Sequence, residues 1–112
     1  MTAVTAPPET APLSLRIRRH GGAALVVVAG ELDVSNLAQL RAAIDAAVER
    51  GASCIGLDLR HLDFLDATGL GVLIGARHRA AELGIALVVR RPGRAVRRVF
   101  DATGLGEYLL AR

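Results

Sequence analysis

The sequence predicts a small α/β domain in which a β-hairpin is followed by alternating helices and strands. Short apolar runs that favour strands alternate with longer segments whose apolar residues recur at helical spacing. Glycines stand where these segments end, as turns and helix ends require. The length of 112 residues suits one domain with a single core.

The predicted hairpin follows an N-terminal tail. Residues 1–12 contain three prolines and little that could be buried, so we expect a disordered tail before a domain of residues 13–112. Apolar and polar residues alternate over residues 13–17, as in a half-buried strand. A Gly-Gly turn at residues 21–22 leads to the continuous apolar run of residues 24–29, which is typical of a strand covered on both faces.

The first helix is predicted from a single apolar stripe. Its members are Leu37, Leu40, Ile44 and Val48. We expect Ser35 or Asn36 to cap its start, since Asn36 and Gln39 have capping-box spacing, and Gly51 to end it. The apolar run of residues 53–59 then predicts a strand parallel to the second hairpin strand, because a helix joins the two.

The second half of the chain repeats this alternation. Residues 61–65 are predicted to form a loop, and a second helix follows that ends at Gly84. A strand over residues 85–89 leads to a third helix, which ends before Gly104. Thr103 is expected on the buried stripe of that helix. The predicted order is β-β-α-β-α-β-α.

Two of the predicted loops carry polar side chains that should meet. The carboxyl ends of neighbouring parallel strands lie at one edge of a sheet, so Asp33, Asp66 and Thr68 are expected to share one rim. Thr68 follows a strand and opens a helix, so we expect it to be the N-cap, with Gly69 and Gly71 leaving the nearby backbone open to a partner. By this argument alone Thr68 is either an ordinary helix cap or a reactive hydroxyl.

Composition excludes several classes of function. All 14 basic residues are arginine, so there is no lysine for a phosphate-binding P-loop or a Schiff base. Cys54 is the one cysteine, which excludes disulfides and zinc clusters and suggests a buried thiol. The apolar runs are far shorter than the roughly 20 residues of a membrane span, and no signal peptide is evident, so a cytoplasmic protein that does not enter membranes is expected.

Other candidate sites are weaker. Five arginines lie between residues 90 and 98, but aromatic residues are scarce, so we interpret them as a solvated helix face and expect no nucleic-acid partner. His61, Asp63 and Asp66 lack a fourth ligand, and no metal is expected. The glycines from Gly69 to Gly75 do not have dinucleotide-binding spacing, and no G-x-S-x-G motif occurs. We therefore expect no catalytic residue and no cofactor.

Three separated segments resemble the STAS domain, and more narrowly the bacterial anti-sigma factor antagonists. They are GELD at residues 30–33, DATGLG at residues 66–71 and AVRRVFDATGL at residues 95–105. The resemblance runs from Leu13 to the end of the chain. It implies a mixed β-sheet with helices mainly on one side.

The resemblance also implies a function. In that family the residue at the position of Thr68 is phosphorylated by an anti-sigma factor that is itself a serine/threonine kinase of the HATPase type. The unphosphorylated antagonist binds this kinase and releases the sigma factor, and a PP2C-type phosphatase is implied as well. Many members carry Ser-Ser where this chain has Ala67 and Thr68, which leaves a single acceptor.

The expected partner-binding residues surround Thr68. They are Asp33, Asp66, Ala67, Gly69, Leu70, Gly71 and Val72. The apolar arc of the second helix is wider than core packing needs, so Leu70 or Val72 is expected to face outward. The alternatives are a STAS subunit of a stress-signalling or lipid-transport complex, and a nucleotide-binding protein that uses the helix start for phosphate.

Overall fold

In a computed structural model of the protein, residues 13–106, 109 and 110 are described. Seven elements follow one another in the predicted order: β1 (Ser14–His20), β2 (Ala23–Leu32), α1 (Leu37–Glu49), β3 (Cys54–Leu65), α2 (Ala67–Glu82), β4 (Ala86–Arg91) and α3 (Gly93–Thr103). The tail predicted for residues 1–12 lies outside the described residues.

The four strands form one mixed sheet in the order β1-β2-β3-β4. β1 and β2 pair antiparallel as the hairpin predicted, and β2, β3 and β4 run parallel to one another. The parallel pairs are joined through α1 and α2, because parallel neighbours need a crossover connection. The predicted mixed sheet is confirmed.

The core lies between one face of the sheet and the helices. Along β2 every second residue is buried, so one row of side chains faces the helices. The helices contribute buried residues from one side each: Leu40, Ile44 and Ala47 on α1, Leu70, Leu73, Ala76 and Ala80 on α2, and Val96 and Phe100 on α3. Within the described part of the chain, no helix is long and apolar enough to span a membrane.

β3 is longer than predicted. It continues to Leu65, so the expected loop at residues 61–65 is wrong. The strand persists because β2 also continues, to Leu32, and the two pair to their ends with two register shifts. In this stretch Leu62 and Leu65 are buried while Asp63 and Phe64 between them are exposed, so the segment is a half-buried strand rather than a loop.

Three further expectations are corrected. Cys54 is exposed, because it lies on the sheet face that no helix covers. Thr103 is also exposed, and its hydroxyl donates to the carbonyl oxygen of Val99 at 2.9 Å. The arginines of residues 90–98 do not form one helix face, because two of them end β4 and three lie on α3.

Candidate functional site

The candidate site lies where β2 and β3 leave the sheet. Leu32 and Leu65 are the last paired residues of these strands, and Asp33 and Asp66 follow them directly. Neighbouring strands are about 4.8 Å apart, so the two aspartates begin adjacent loops at one edge of the sheet. The structure therefore brings Asp33 and Asp66 together on one rim.

Asp66, not Thr68, is the N-cap of α2. Its backbone is extended, and its side chain accepts a hydrogen bond from the backbone N–H of Gly69 at 2.9 Å. The expectation of a Thr68 cap is wrong. Asp66 directly follows β3 and has the extended conformation that an N-cap residue needs, and aspartate caps a helix at least as well as threonine does. The helix then begins at Ala67, one residue before Thr68.

Thr68 is left chemically available by this arrangement. It lies in the first turn of α2 with its side chain exposed, and it makes no side-chain hydrogen bond within residues 13–106. The backbone N–H groups of Ala67 and Thr68 precede the first capped and helical hydrogen bonds, which start at Gly69 and Leu70. These two donors have no partner among the described residues, and together with the helix N-terminus they favour negative charge at this point.

The two glycines beside Thr68 have different roles. A side chain added at Gly71 would meet no atom within 4 Å, so this flank of Thr68 is open. A Cβ at Gly69 would lie 2.5 Å from Leu65 Cδ1 and 3.4 Å from Leu32 Cδ2. Gly69 is therefore buried, and it lets the start of α2 pack closely on the ends of β2 and β3.

Leu70 is not an outward-facing residue. Only 1% of it is exposed, and it belongs to the core. The expectation failed because α2 packs against β3, β4 and α1 together. The wide apolar arc of this helix is therefore needed for packing inside the domain. Val72 is half-buried and is the remaining apolar candidate of that pair.

The loop after β2 is held by its own side chains. The Asp33 carboxylate accepts hydrogen bonds from the backbone N–H of Ser35, at 2.9 Å, and from its hydroxyl. The Asn36 side chain accepts from the N–H of Asp33 at 2.9 Å and donates to the carbonyl of Glu31 at 2.8 Å. Asn36 occupies the N-cap position of α1, but its side chain bonds this loop, so the expected capping box is not formed.

One rim residue escaped the sequence analysis. Val34, next to Asp33, is 78% exposed, the largest value among the large apolar side chains that the structure describes. The sequence could have indicated this, because Val34 is a single valine between polar loop residues. It is not part of any helical or strand periodicity, so it belongs to no predicted core face. Among the eight expected site residues, Ala67, Thr68 and Gly71 are exposed, and Asp33, Asp66 and Val72 are half-buried.

A comparison with protein-family models shows which family the chain belongs to. The family model of the STAS domain matches residues 14–111. The chain belongs to the STAS-domain family. In the described residues of this STAS domain no three His, Cys, Asp or Glu side chains are grouped closely enough to hold a metal ion.

Similar proteins share both sequence and fold with this STAS domain. An "Anti-sigma F factor antagonist" of Paenibacillus polymyxa is 33% identical over 99 residues, which cover 87% of this chain and 84% of the relative. The crystal structure of an anti-sigma factor antagonist from Mycobacterium paratuberculosis has a TM-score of 0.72 at 29% identity, and covers 94% of this chain and 87% of its own.

Two further solved structures carry the name SpoIIAA and differ in phosphorylation state. The structure of the anti-sigma factor antagonist SpoIIAA in its unphosphorylated form has a TM-score of 0.66 at 30% identity, covering 87% of this chain and 86% of its own. The phosphorylated form of the Bacillus cell fate determinant SpoIIAA has a TM-score of 0.61 at 28% identity, covering 87% and 89%.

Proposed function

We propose that this protein is an anti-sigma factor antagonist controlled by phosphorylation of Thr68. The observation that carries the proposal is the exposed Thr68 hydroxyl, which has no hydrogen-bond partner in the described chain and lies between a capped helix start and the open flank at Gly71. The names of the similar proteins, and the structure of a similar protein in a phosphorylated form, support the same function.

The unphosphorylated protein binds an anti-sigma factor that is a serine/threonine kinase of the HATPase type, and this releases the sigma factor. The binding surface is the rim around Thr68, made of Asp33, Val34, Asp66, Ala67, Gly71 and Val72, with Gly69 and Leu70 supporting it from below. The kinase transfers the γ-phosphoryl group of ATP to the Thr68 oxygen, which loses its proton, and ADP leaves. A PP2C-type phosphatase hydrolyses the ester and restores the binding form.

The phosphate acts by charge. It adds about −1.5 to −2 at pH 7. In the free protein the helix N-terminus favours this charge by about 0.3–1 kcal/mol, while water and salt screen its repulsion from Asp33 and Asp66. In the complex the same charges are desolvated together, where like-charge contact costs several kcal/mol. The fold therefore survives phosphorylation, while binding to the kinase is lost.

On this proposal the output of the protein is binding rather than catalysis, and its place is the cytoplasm, where sigma factors act. A pull-down from native lysate tests the partner: a HATPase-type kinase supports the proposal. A transporter or a stress-signalling assembly in its place would favour the other STAS functions, and measurable nucleotide turnover would favour an enzyme.

The modification is tested with the captured kinase and ATP. Mass spectrometry should find phosphate on Thr68 alone. Thr103→Ala is the matched control, since Thr103 is also exposed but its hydroxyl already donates to a backbone carbonyl. Uptake of phosphate by a Thr68→Ala protein would refute the assignment.

A further inference from the structure

The sheet face opposite the helices has an apolar floor. Side chains of β2, β3 and β4 form it, and register places Ala23 beside Cys54, Leu25 beside Gly56, and Gly56 beside Val88. These residues line an open basin of about 750 Å³, to which no helical residue of the described chain contributes. The floor is therefore a continuous apolar band across three strands.

An uncovered apolar band is unusual for parallel strands. Parallel sheets are normally covered on both faces, and their strands then carry continuous apolar runs rather than alternating ones. β2 has such a run from Ala23 to Ala29, yet only one of its two faces is packed against helices. The sequence of β2 is therefore suited to a second covering layer that residues 13–106 do not supply.

Arginines surround this floor on both sides. Arg16, Arg18 and Arg19 line it from β1, and Arg90 and Arg91 from β4. Arg60 is the only one of the lining arginines that forms an ion pair within the described residues, with the buried Asp58 at 3.0 Å. The other five carry charge without a carboxylate partner from that part of the chain.

The positive charge of the protein is concentrated on this face. In the described part of the chain, six of the 14 arginines and one of the 11 acidic residues line the basin, a formal charge of +5. The net charge of the chain is +3, so the rest of the molecule is negative by two charges. Such a field attracts an acidic partner and raises its rate of association.

We infer that the basin binds an acidic amphipathic helix of a partner protein. The floor spans β2 to β4, about 10 Å at the usual strand spacing, which matches the diameter of an α-helix. A helix laid along the strands would place an apolar stripe on the floor and a row of carboxylates against the arginines on each side, as in helix-in-groove recognition. It would also supply the missing layer of the sheet.

Other occupants fit less well. The described lining of the basin has no Phe, Tyr or Trp on which successive nucleic-acid bases could stack, and its rings are the two imidazoles of His20 and His61. A membrane surface requires apolar groups that project outward, whereas here the arginine stems rise over the floor, with Arg90 Cγ 2.9 Å from where a Cβ of Gly56 would lie. Residues 1–12 contain one acidic residue and three prolines, so they do not provide an acidic helix.

The test uses the full chain and synthetic helical peptides of about 18 residues, or five turns, with leucine and alanine on one face and glutamate on both flanks. We expect the glutamate peptide to bind at least tenfold more tightly than the same peptide with lysine flanks. The double variant Arg18→Glu with Arg90→Glu should reduce this affinity at least tenfold. Arg97→Glu with Arg98→Glu, an equal charge change on exposed α3 positions, should leave it unchanged.

Three binding results would overturn the inference. They are equal binding of both peptides, equal binding by both double variants, and tighter binding of phosphatidylglycerol vesicles or duplex DNA than of the glutamate peptide. Asp33, Asp66 and Thr68 do not line the basin, so the basin variants should still be phosphorylated on Thr68. If they were not, the basin would belong to the kinase-binding surface, and a separate helical partner would be wrong.

Discussion

At the scale of single residues, Asp66 and Thr68 have different roles at the start of α2. The Asp66 carboxylate binds the N–H of Gly69 and so closes the helix start. The Thr68 hydroxyl, two residues later, has no such bond in the described chain and is exposed. A negative group can therefore be added at Thr68 without breaking any hydrogen bond of the cap.

Substitutions of Thr68 should separate folding from binding. Thr68→Asp should fold normally, because its charge lies near free backbone donors, but it should lose most of its affinity for the anti-sigma factor. Thr68→Ala should keep that affinity and release the sigma factor permanently. Calorimetric titration of both variants, with circular dichroism as the folding control, measures this. Equal affinities, or an unfolded Thr68→Asp protein, would contradict charge exclusion.

Gly69 and Gly71 form a matched pair for stability. Gly69→Ala should lower the free energy of unfolding by about 1–2 kcal/mol, because its methyl group would meet the buried Leu65 side chain. Gly71→Ala has open space and should be neutral or stabilising by up to about 1 kcal/mol, as alanine favours a helix. Urea unfolding compares the two. A larger loss from Gly71→Ala would show that the helix start packs differently.

At the scale of elements, α2 buries one side and leaves its start open. It contacts β3, β4 and α1, and its exposed residues lie at its start (Ala67, Thr68 and Gly71) and near its end. β2 and β3 hold that start in place, because both strands continue to the rim and end beside each other. The site therefore depends on two strand ends and one helix start rather than on a free loop.

Leu70 and Val72 should respond differently to replacement by serine. Leu70→Ser should destabilise the protein by about 2–5 kcal/mol, because a fully buried side chain would leave a cavity and a polar group. Val72→Ser should cost about 1 kcal/mol or less but weaken binding to the anti-sigma factor. Thermal unfolding and titration on the same samples distinguish them. Unchanged binding by a folded Val72→Ser protein would remove Val72 from the partner surface.

At the scale of the whole molecule, the sheet separates two environments. One face is packed against three helices, and the other carries the arginine-lined basin. Asp58 lines this basin and is the only buried charged residue of the described chain, at 4% exposure. Burial raises the pKa of its carboxyl, but hydrogen bonds from the Arg60 side chain and backbone, with the charges of Arg60 and Arg91, lower the pKa more, so it stays below its usual value of 3.8.

This pair should give stability a defined pH dependence. A pKa lowered by folding contributes stability that is present above the unfolded value of about 3.8 and is lost as the pH falls through the folded value. Arg60→Gln should therefore cost about 1–3 kcal/mol at pH 7, since it leaves a buried carboxylate short of partners. Urea unfolding at pH 7 and near pH 2.5 should show the difference shrinking in acid. An equal difference at both pH values would contradict the role of Asp58.

The order of elements, the ends of the helices and the position of Thr68 at the start of α2 could be predicted from the sequence, because periodicity, glycines and capping residues act within a few neighbours. The length of β3, the burial of Leu70, the exposure of Cys54 and the choice of Asp66 as the cap were decided by tertiary structure. Each of these features depends on contacts with parts of the chain that are distant in sequence. β3 is long because it pairs with β2, α2 is packed against α1, and no helix covers the sheet face that carries Cys54. An apolar run indicates that a segment can be buried, but only tertiary packing determines which of its faces is covered and which face stays open to a partner.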